Sequence, residues 1–419
     1  MATLALVFSG LNETMAVAGE VNIYVADLSF FLLVLLSAFT GSLFSAPQPW
    51  ERAVLWALGV FVLYIGASLV VVVIEDPAHF VPSLVSWFRL VQTLSLFWLV
   101  QVTLTTRRDF RLVIAAVVFA GLFAVASAAS EATWGGLLQA RYGGLLNVNS
   151  LGLVSSYLIL AASFIIPSRV PSLRIGIFAA GLLGLLLAKS VGGLLAATAA
   201  LGLGYLVQKT RGQTQRAPLA KPLLAVTGMS LFAFLTISFA RPETLPTSTS
   251  FSTGSTSHRI VLASAGLELF FRHPLVGVGW QRSSSPEIIG QSEVSQSLHD
   301  RFESVPPQLF PNVSPSTVHN TYIQLAAELG LLGLAVMIYS AVRLKRRIHS
   351  ALAILSGGPF YNYAVLSIAG LVVTLLWLNG NALYGGQPET YGIALFLGLL
   401  SAGVSADFRG RAGSSRSTH

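Results

Sequence analysis

Apolar residues fill most of this chain in runs of about 16 to 24 positions, with short polar intervals between them. The runs do not alternate apolar with polar, as half-buried strands would. Each is long enough to bury its own backbone hydrogen bonds in lipid as a helix. The pattern predicts spans near 1–19, 24–44, 53–74, 84–104, 111–129, 144–166, 173–188, 190–207, 222–240, 320–343, 360–380 and 389–406. The first carries Asn12 and Glu13 inside its apolar stretch, which sets it apart from the apolar core of a cleaved leader. The seventh and eighth are joined by almost nothing around Lys189-Ser190, so they form a tight helical hairpin.

One long polar stretch interrupts this pattern, residues 241–318, rich in Ser, Thr and Pro at its ends. Within it, Ser257 to Pro274 holds an apolar run too short to cross roughly 30 Å of hydrocarbon. It reads as a helix lying in the interface or packed on the bundle, stopped by Pro274. Gly277 and Gly279 then predict a tight turn, and Pro306-Pro307 and Pro315 mark irregular chain before His319. The predicted architecture is therefore an all-α polytopic membrane protein of about twelve transmembrane helices. Residues 1–240 hold spans one to nine, 241–318 form an extracytoplasmic loop carrying the interfacial helix, 319–406 hold the last three spans, and 407–419 form a cytoplasmic tail.

Composition agrees: 54% of residues are hydrophobic and 10% charged, where a soluble domain carries about 25% charged residues. There is no cysteine, which excludes disulfides and thiolate chemistry. The formal charge of +8 suggests nucleic acid until its distribution is read. With the N-terminus in the cytoplasm, 17 of the 25 basic residues fall in cytoplasmic loops and tail, and six in outer loops. The charge is then a topology signal, and no nucleic-acid partner is implied.

The outer cations remain to be explained. Arg141, Lys189, Arg259 and Arg272 fall at the outer face, and Arg89 lies a little inside the fourth span from its outer end. Arginine grips phosphate oxygens through a two-pronged fork and stays charged in a dry site, so such a set suits a diphosphate. Arg241, Arg282 and Arg301 read as solvated loop charges, as does the acidic pair Glu75-Asp76. His319 closes the polar loop; its imidazole either takes a proton from a hydroxyl nucleophile or bonds loop carbonyls at a helix start. Arg141 to Gly152 breaks the start of the sixth span, and Asn147 and Asn149 there either bind sugar or phosphate or join helices. Glu328 lies roughly 13 Å along the tenth helix from His319. It is nearly on the opposite face, which predicts a structural role. No Asp-x-Asp pair, metal-ligand spacing or phosphate-loop fingerprint is present, so no metal or cofactor is implied.

Three segments together resemble the O-antigen ligase and polymerase superfamily. His319-Asn320 followed by Glu328-Leu329-Gly330-Leu331-Leu332-Gly333 is similar to its loop-end histidine motif. His258-Arg259 through Arg272-His273-Pro274-Leu275-Val276-Gly277-Val278-Gly279 is similar to its arginine, apolar helix and Pro-x-x-Gly-x-Gly pattern. Arg141 to Gly152 resembles a third element. Where relatives carry Ser-Arg-Gly at the seventh–eighth hairpin, this chain has Lys189-Ser190. The resemblance implies a membrane glycosyltransferase of lipopolysaccharide biosynthesis in the bacterial inner membrane, with its active site facing the periplasm. The implied donor is a glycan on undecaprenyl diphosphate, and the transfer is inverting and metal-independent. The acceptor is the lipid A core oligosaccharide for a ligase, or another lipid-linked repeat for a polymerase; a lipid-glycan transporter is the non-enzymatic alternative. His319 and Arg259 are then expected at the reaction centre. Arg141, Arg272, Lys189, Arg89, Asn147, Asn149 and Asn320 are expected around the diphosphate and sugars.

Overall fold

The computed structural model describes residues 14–18, 21–39, 49–132, 142, 148–166, 169–210, 251–285, 288, 292–302, 318–380, 383 and 388–416. The predicted ninth span, Arg141, Asn147 and Arg241 lie outside the described residues. An antiparallel pair, β1 (Thr14–Ala18) and β2 (Val21–Tyr24), precedes α1 (Val25–Phe39). The end of the predicted first span is thus a strand, because Gly19-Glu20 breaks the apolar run and its two arms satisfy each other across a ladder.

The remaining helices are α2 (Pro49–Glu75), α3 (Phe80–Thr103), α4 (Arg107–Glu131), α5 (Val148–Phe164), α6 (Pro171–Leu187), α7 (Val191–Thr210), α8 (Phe251–Arg272), α9 (Ser292–Arg301), α10 (Thr321–Leu355), α11 (Tyr361–Trp377) and α12 (Pro388–Arg416). Five described helices, α2, α3, α4, α10 and α12, contain stretches long and apolar enough to cross a membrane. Their starts follow local chemistry. Thr106 and Asp109 form a reciprocal capping box at α4, Pro171 takes the first position of α6, and Asn320 accepts from the N–H groups of Tyr322 and Ile323 at α10. The helix expected inside the polar loop is α8, longer at its start than the apolar run alone; α9 was not foreseen, since its sequence is polar.

Helix α5 and the 390–408 stretch of α12 bury nearly all their residues and α11 most of its own, while α2, α3 and α4 keep an exposed apolar face suited to lipid. Small residues let the central helices approach: Gly370 lies against the Phe396 ring, and Gly184 against Ser155. Tyr157 and Thr374 share a buried hydroxyl bond of 2.6 Å between α5 and α11. Arg174 is 2% exposed and donates to the carbonyls of Ala162 (2.7 Å) and Ser163 (2.5 Å). Those carbonyls lack partners within α5, and a cation satisfies them well.

Contacts join the helix ends in two groups, called inner and outer after the orientation expected from the sequence. At the inner end Arg107 reaches the Pro359 carbonyl, Tyr361 the Val207 carbonyl, and Ser405 the Glu51 carboxylate. At the outer end Arg282 meets Glu75, Asn320 meets Asn379, and the Tyr142 N–H meets the Leu187 carbonyl.

Helix α10 is broken at Gly330, whose φ of 63° and ψ of −164° interrupt the ladder. The chain after α8 fills the break. Val278 and Gly279 donate to the carbonyls of Ala327 and Glu328, both at 2.9 Å. Leu331 and Leu332 donate to the carbonyls of Pro274 (2.8 Å) and Leu275 (3.2 Å). Tyr64 Oη donates to the Leu329 carbonyl at 3.1 Å. Residues 274–279 therefore act as a strap that satisfies the groups the break exposes. A Cβ on Gly330 would stand 2.5 Å from the Leu275 backbone. Gly330→Ala is expected to cost about 1–3 kcal/mol from backbone strain alone, more with the clash. The measurement is thermal unfolding of detergent-solubilised protein, which should show a clear drop in midpoint.

Candidate functional site

The strap continues upward between α2 and α10. Trp280 is fully buried among Ile65, Leu69 and Val72 of α2, Leu90 of α3, and Leu325 and Leu329 of α10. Arg282 follows, 4% exposed, with Nη1 at 2.6 Å from Glu75 and Nε at 3.6 Å from Asp76. Ser285 Oγ donates to Asp76 at 3.1 Å. This corrects the solvated reading of Arg282 and Asp76; Glu75 stays exposed while pairing with Arg282. Trp280 draws its neighbour Arg282 into the bundle, where an unpaired charge would be costly, and the acidic end of α2 supplies its partners.

Glu328 is the second anchor. It is 0% exposed and accepts from Ser283 Oγ and from the backbone N–H groups of Gln281 and Ser283. Gln324 Nε2 stands 3.3 Å from both carboxylate oxygens. Gln324 Oε1 accepts from the Leu383 N–H at 2.7 Å, and the Leu383 carbonyl accepts from Gln281 Nε2 at 3.1 Å. One carboxylate thus ties the strap, α10 and the chain before α12 into a buried polar network, in line with the structural role expected of it.

His319 stands half-buried just above this network, at the start of α10. Asn320 caps α10 through Oδ1 and donates to Asn379 Oδ1 and to the Asn379 carbonyl at 3.0 Å each. It thereby joins the start of α10 to the outer end of α11. Trp377 there lies where a Cβ on Gly152 would fall, alongside Ser190. The starts of α5 and α7 consequently meet the end of α11. Asn149 is half-buried one turn before Gly152, and Lys189 is half-buried in the α6–α7 turn with φ of 47°. The structure therefore brings the segments bearing His319, Asn320, Asn149 and Lys189 to one region of the outer end.

Helix α8 packs against the start of α10. Gly266 lies where a Cβ would touch Val318 and Ile323, the residues flanking the His319-Asn320 corner. Arg259 is seven residues earlier, within about 20° of the same helix face and roughly 10 Å along the axis. It is exposed on one side, while neighbouring atoms desolvate the other and hold its pKa below the usual arginine value; it stays cationic. Among the described residues no carboxylate pairs with Arg259.

Arg272 differs. Hydrogen bonds that it donates to Glu293 and then to Glu268 raise its pKa, and both carboxylates form ion pairs with it. Arg301 joins Glu268 at 3.7 Å and stays exposed. An open cavity of ≈ 550 Å³ lies beside them, lined by Arg272, Glu293, Gln296, Ser297, Asp300 and Arg301. It includes neither His319 nor Arg259, and the cations that line it are already paired with acids. Arg89 is half-buried on α3, next to Leu90 of the Trp280 cluster.

The residues missed in the sequence, Gln281, Arg282, Ser283, Gln324 and Asp76, carry no local signal: Arg282 and its partner Glu75 are 207 positions apart. Glu328→Ala strands the donors of Gln281 and Ser283 in a dry site, at roughly 1–3 kcal/mol for each unsatisfied group. Its unfolding midpoint is expected to fall and proteolysis after residue 280 to accelerate, with Glu328→Gln retaining part of the stability. An unchanged midpoint and cleavage pattern for Glu328→Ala would remove the carboxylate from the anchor.

Residues 176–338, from α6 through the break in α10, match the family described as O-antigen ligase. No curated protein matches the chain. The matched segment contains α8, the strap and the His319 corner, so this part of the chain is similar to the O-antigen ligase family, and the chain as a whole is a multi-pass membrane protein.

Proposed function

We propose that this protein is an O-antigen ligase of the bacterial inner membrane. It transfers a glycan from undecaprenyl diphosphate to the lipid A core oligosaccharide on the periplasmic side. The observation that carries this reading is the packing of α8 against the His319 corner at Gly266, with Arg259 on that face and lacking an acidic partner among the described residues. Paired cations such as Arg272 and Arg282 have spent their forks on carboxylates. Arg259 has its fork left for an external anion.

In the proposed step the His319 imidazole takes the proton from the acceptor hydroxyl. The hydroxyl oxygen bonds to the anomeric carbon as the bond from that carbon to the diphosphate oxygen breaks. The diphosphate leaves with the electron pair, and Arg259 stabilises its growing charge in a poorly solvated setting. Arg141 shares that work, with Lys189 and Arg89 as outer contributors; Arg272, expected there from the sequence, is instead occupied by Glu268 and Glu293. Asn147, Asn149 and Asn320 hold sugar or phosphate around the outer ends of α5 and α11.

His319→Ala is expected to lose about 10²–10⁴-fold in transfer rate at unchanged protein level. Arg259→Lys is expected to lose activity as well, since lysine lacks the bidentate fork. Both are measured by reconstitution with purified lipid-linked donor and lipid A core acceptor. Glycan on the core supports the ligase reading; a lengthened lipid-linked chain overturns it in favour of a polymerase, and translocation without a new glycosidic bond in favour of a transporter.

A further inference from the structure

Helix α8 leaves one side without protein. Val261, Leu262, Ala265 and Leu269 are buried, whereas Ile260, Leu267, Phe271, Leu275 and Val276 are exposed. The exposed set follows helical spacing down to the end of α8, and its tip is the most open: Phe271 is 72% exposed and Leu275 65%. Such a face occurs in water only where something covers it.

Depth identifies the cover. Helix α8 runs parallel to α10, because Gly266 lies at Val318 and Ile323 while Pro274 and Leu275 bond Leu331 and Leu332. On its inner half α10 carries Arg343, Lys345, Arg346 and Arg347, and Ser340 bonds the Ala57 carbonyl, which puts Arg52 at a similar height. Rising about 30 Å from that basic level takes about 20 residues and reaches roughly residue 325 of α10. Leu331 and Leu332, each half exposed toward lipid, lie below that line. The tip of α8, level with them, therefore lies roughly 8–10 Å inside the hydrocarbon. The polar side of α8 agrees: Arg272 turns back up its own helix to Glu268 and across to Glu293, as a snorkelling cation does.

We propose that α8 is re-entrant, with Phe271, Leu275 and Val276 inserted among the acyl chains of the same leaflet that receives the outer helix ends. Lipid hydrocarbon is the partner of this face. The strap then returns to the surface through the Gly330 break, which satisfies its backbone where water is absent. Arg259, 12 residues before Phe271, rises about 18 Å along the same helix toward the headgroup phosphates. Only the naming of that leaflet as periplasmic rests on the proposed function.

The chain contains no cysteine, so single-cysteine variants carry one spin label without background. Phe271→Cys and Leu275→Cys are labelled in detergent and reconstituted in phosphatidylglycerol–phosphatidylethanolamine vesicles. Leu331→Cys serves as a lipid reference and Glu293→Cys as a water reference. Collisions with oxygen are expected to exceed those with a water-soluble nickel chelate at 271, 275 and 331, and the ratio is expected to invert at 293. Nickel accessibility at 271 and 275 equal to that at 293 overturns insertion. Low accessibility to both reagents also overturns it, by making the cover a protein surface. Leu275 carries the measurement should Phe271→Cys fail to fold. No substrate enters this experiment, so lipid contact in a chain without transferase activity counts against the proposed function alone.

Discussion

The hydrogen bonds that bridge the Gly330 break carry the greatest weight in this structure. A helix interrupted beside lipid exposes carbonyls and N–H groups with no water to take them. Here the strap after α8 supplies both kinds of partner on the two sides of the break. The consequence reaches well beyond one turn. The strap draws Trp280 into the bundle, aligns Gln281 and Ser283 with Glu328, and delivers Arg282 to Glu75 and Asp76. A polar loop that would otherwise drift over the surface is held in register with α10, and with it the helix that bears Arg259.

The break also divides α10 by environment. From Gln324 to Gly330 the helix is wrapped by α8, the strap and the chain near Leu383, and those residues are buried; Leu331 and Leu332 below it are exposed. One half is held by the strap beside the His319 corner, and the other runs as an apolar helix ending in a basic cluster. Two of the glycines make this division possible. Gly330 adopts a backbone conformation reserved for residues without a Cβ, and Gly277, at a φ of 71°, lies against the Glu328 backbone where a side chain would collide.

Charge is handled by a consistent rule near the bundle. Arg174 meets helix-end carbonyls, Arg282 meets two carboxylates, and Glu328 meets only neutral donors. Each of these three groups is compensated by its surroundings, as low polarity demands. Against this background Arg259 differs, a cation on the docked helix with no carboxylate bonded to it among the described residues. That difference, rather than the number of arginines in the loop, is what supports the proposal that Arg259 meets an anionic substrate.

Much of this was legible in the chain. Unbroken apolar runs predicted helices whose middles survive in α1 to α7 and α10 to α12, because backbone pairing in lipid leaves few alternatives. The asymmetry of lysine and arginine gives an expected orientation, and contacts among the helix ends gather them into two groups. The His319 corner and the Pro274–Gly279 pattern could be named from residue type and order. Their relation could not. That Pro-x-x-Gly-x-Gly fills a gap in the helix that follows it, that Glu75 and Arg282 meet across 207 positions, and that Arg272 is occupied by Glu293 are facts of packing. Local composition governs what each segment can be in a membrane, but which unsatisfied group finds which partner depends on distances that arise only once the helices are assembled.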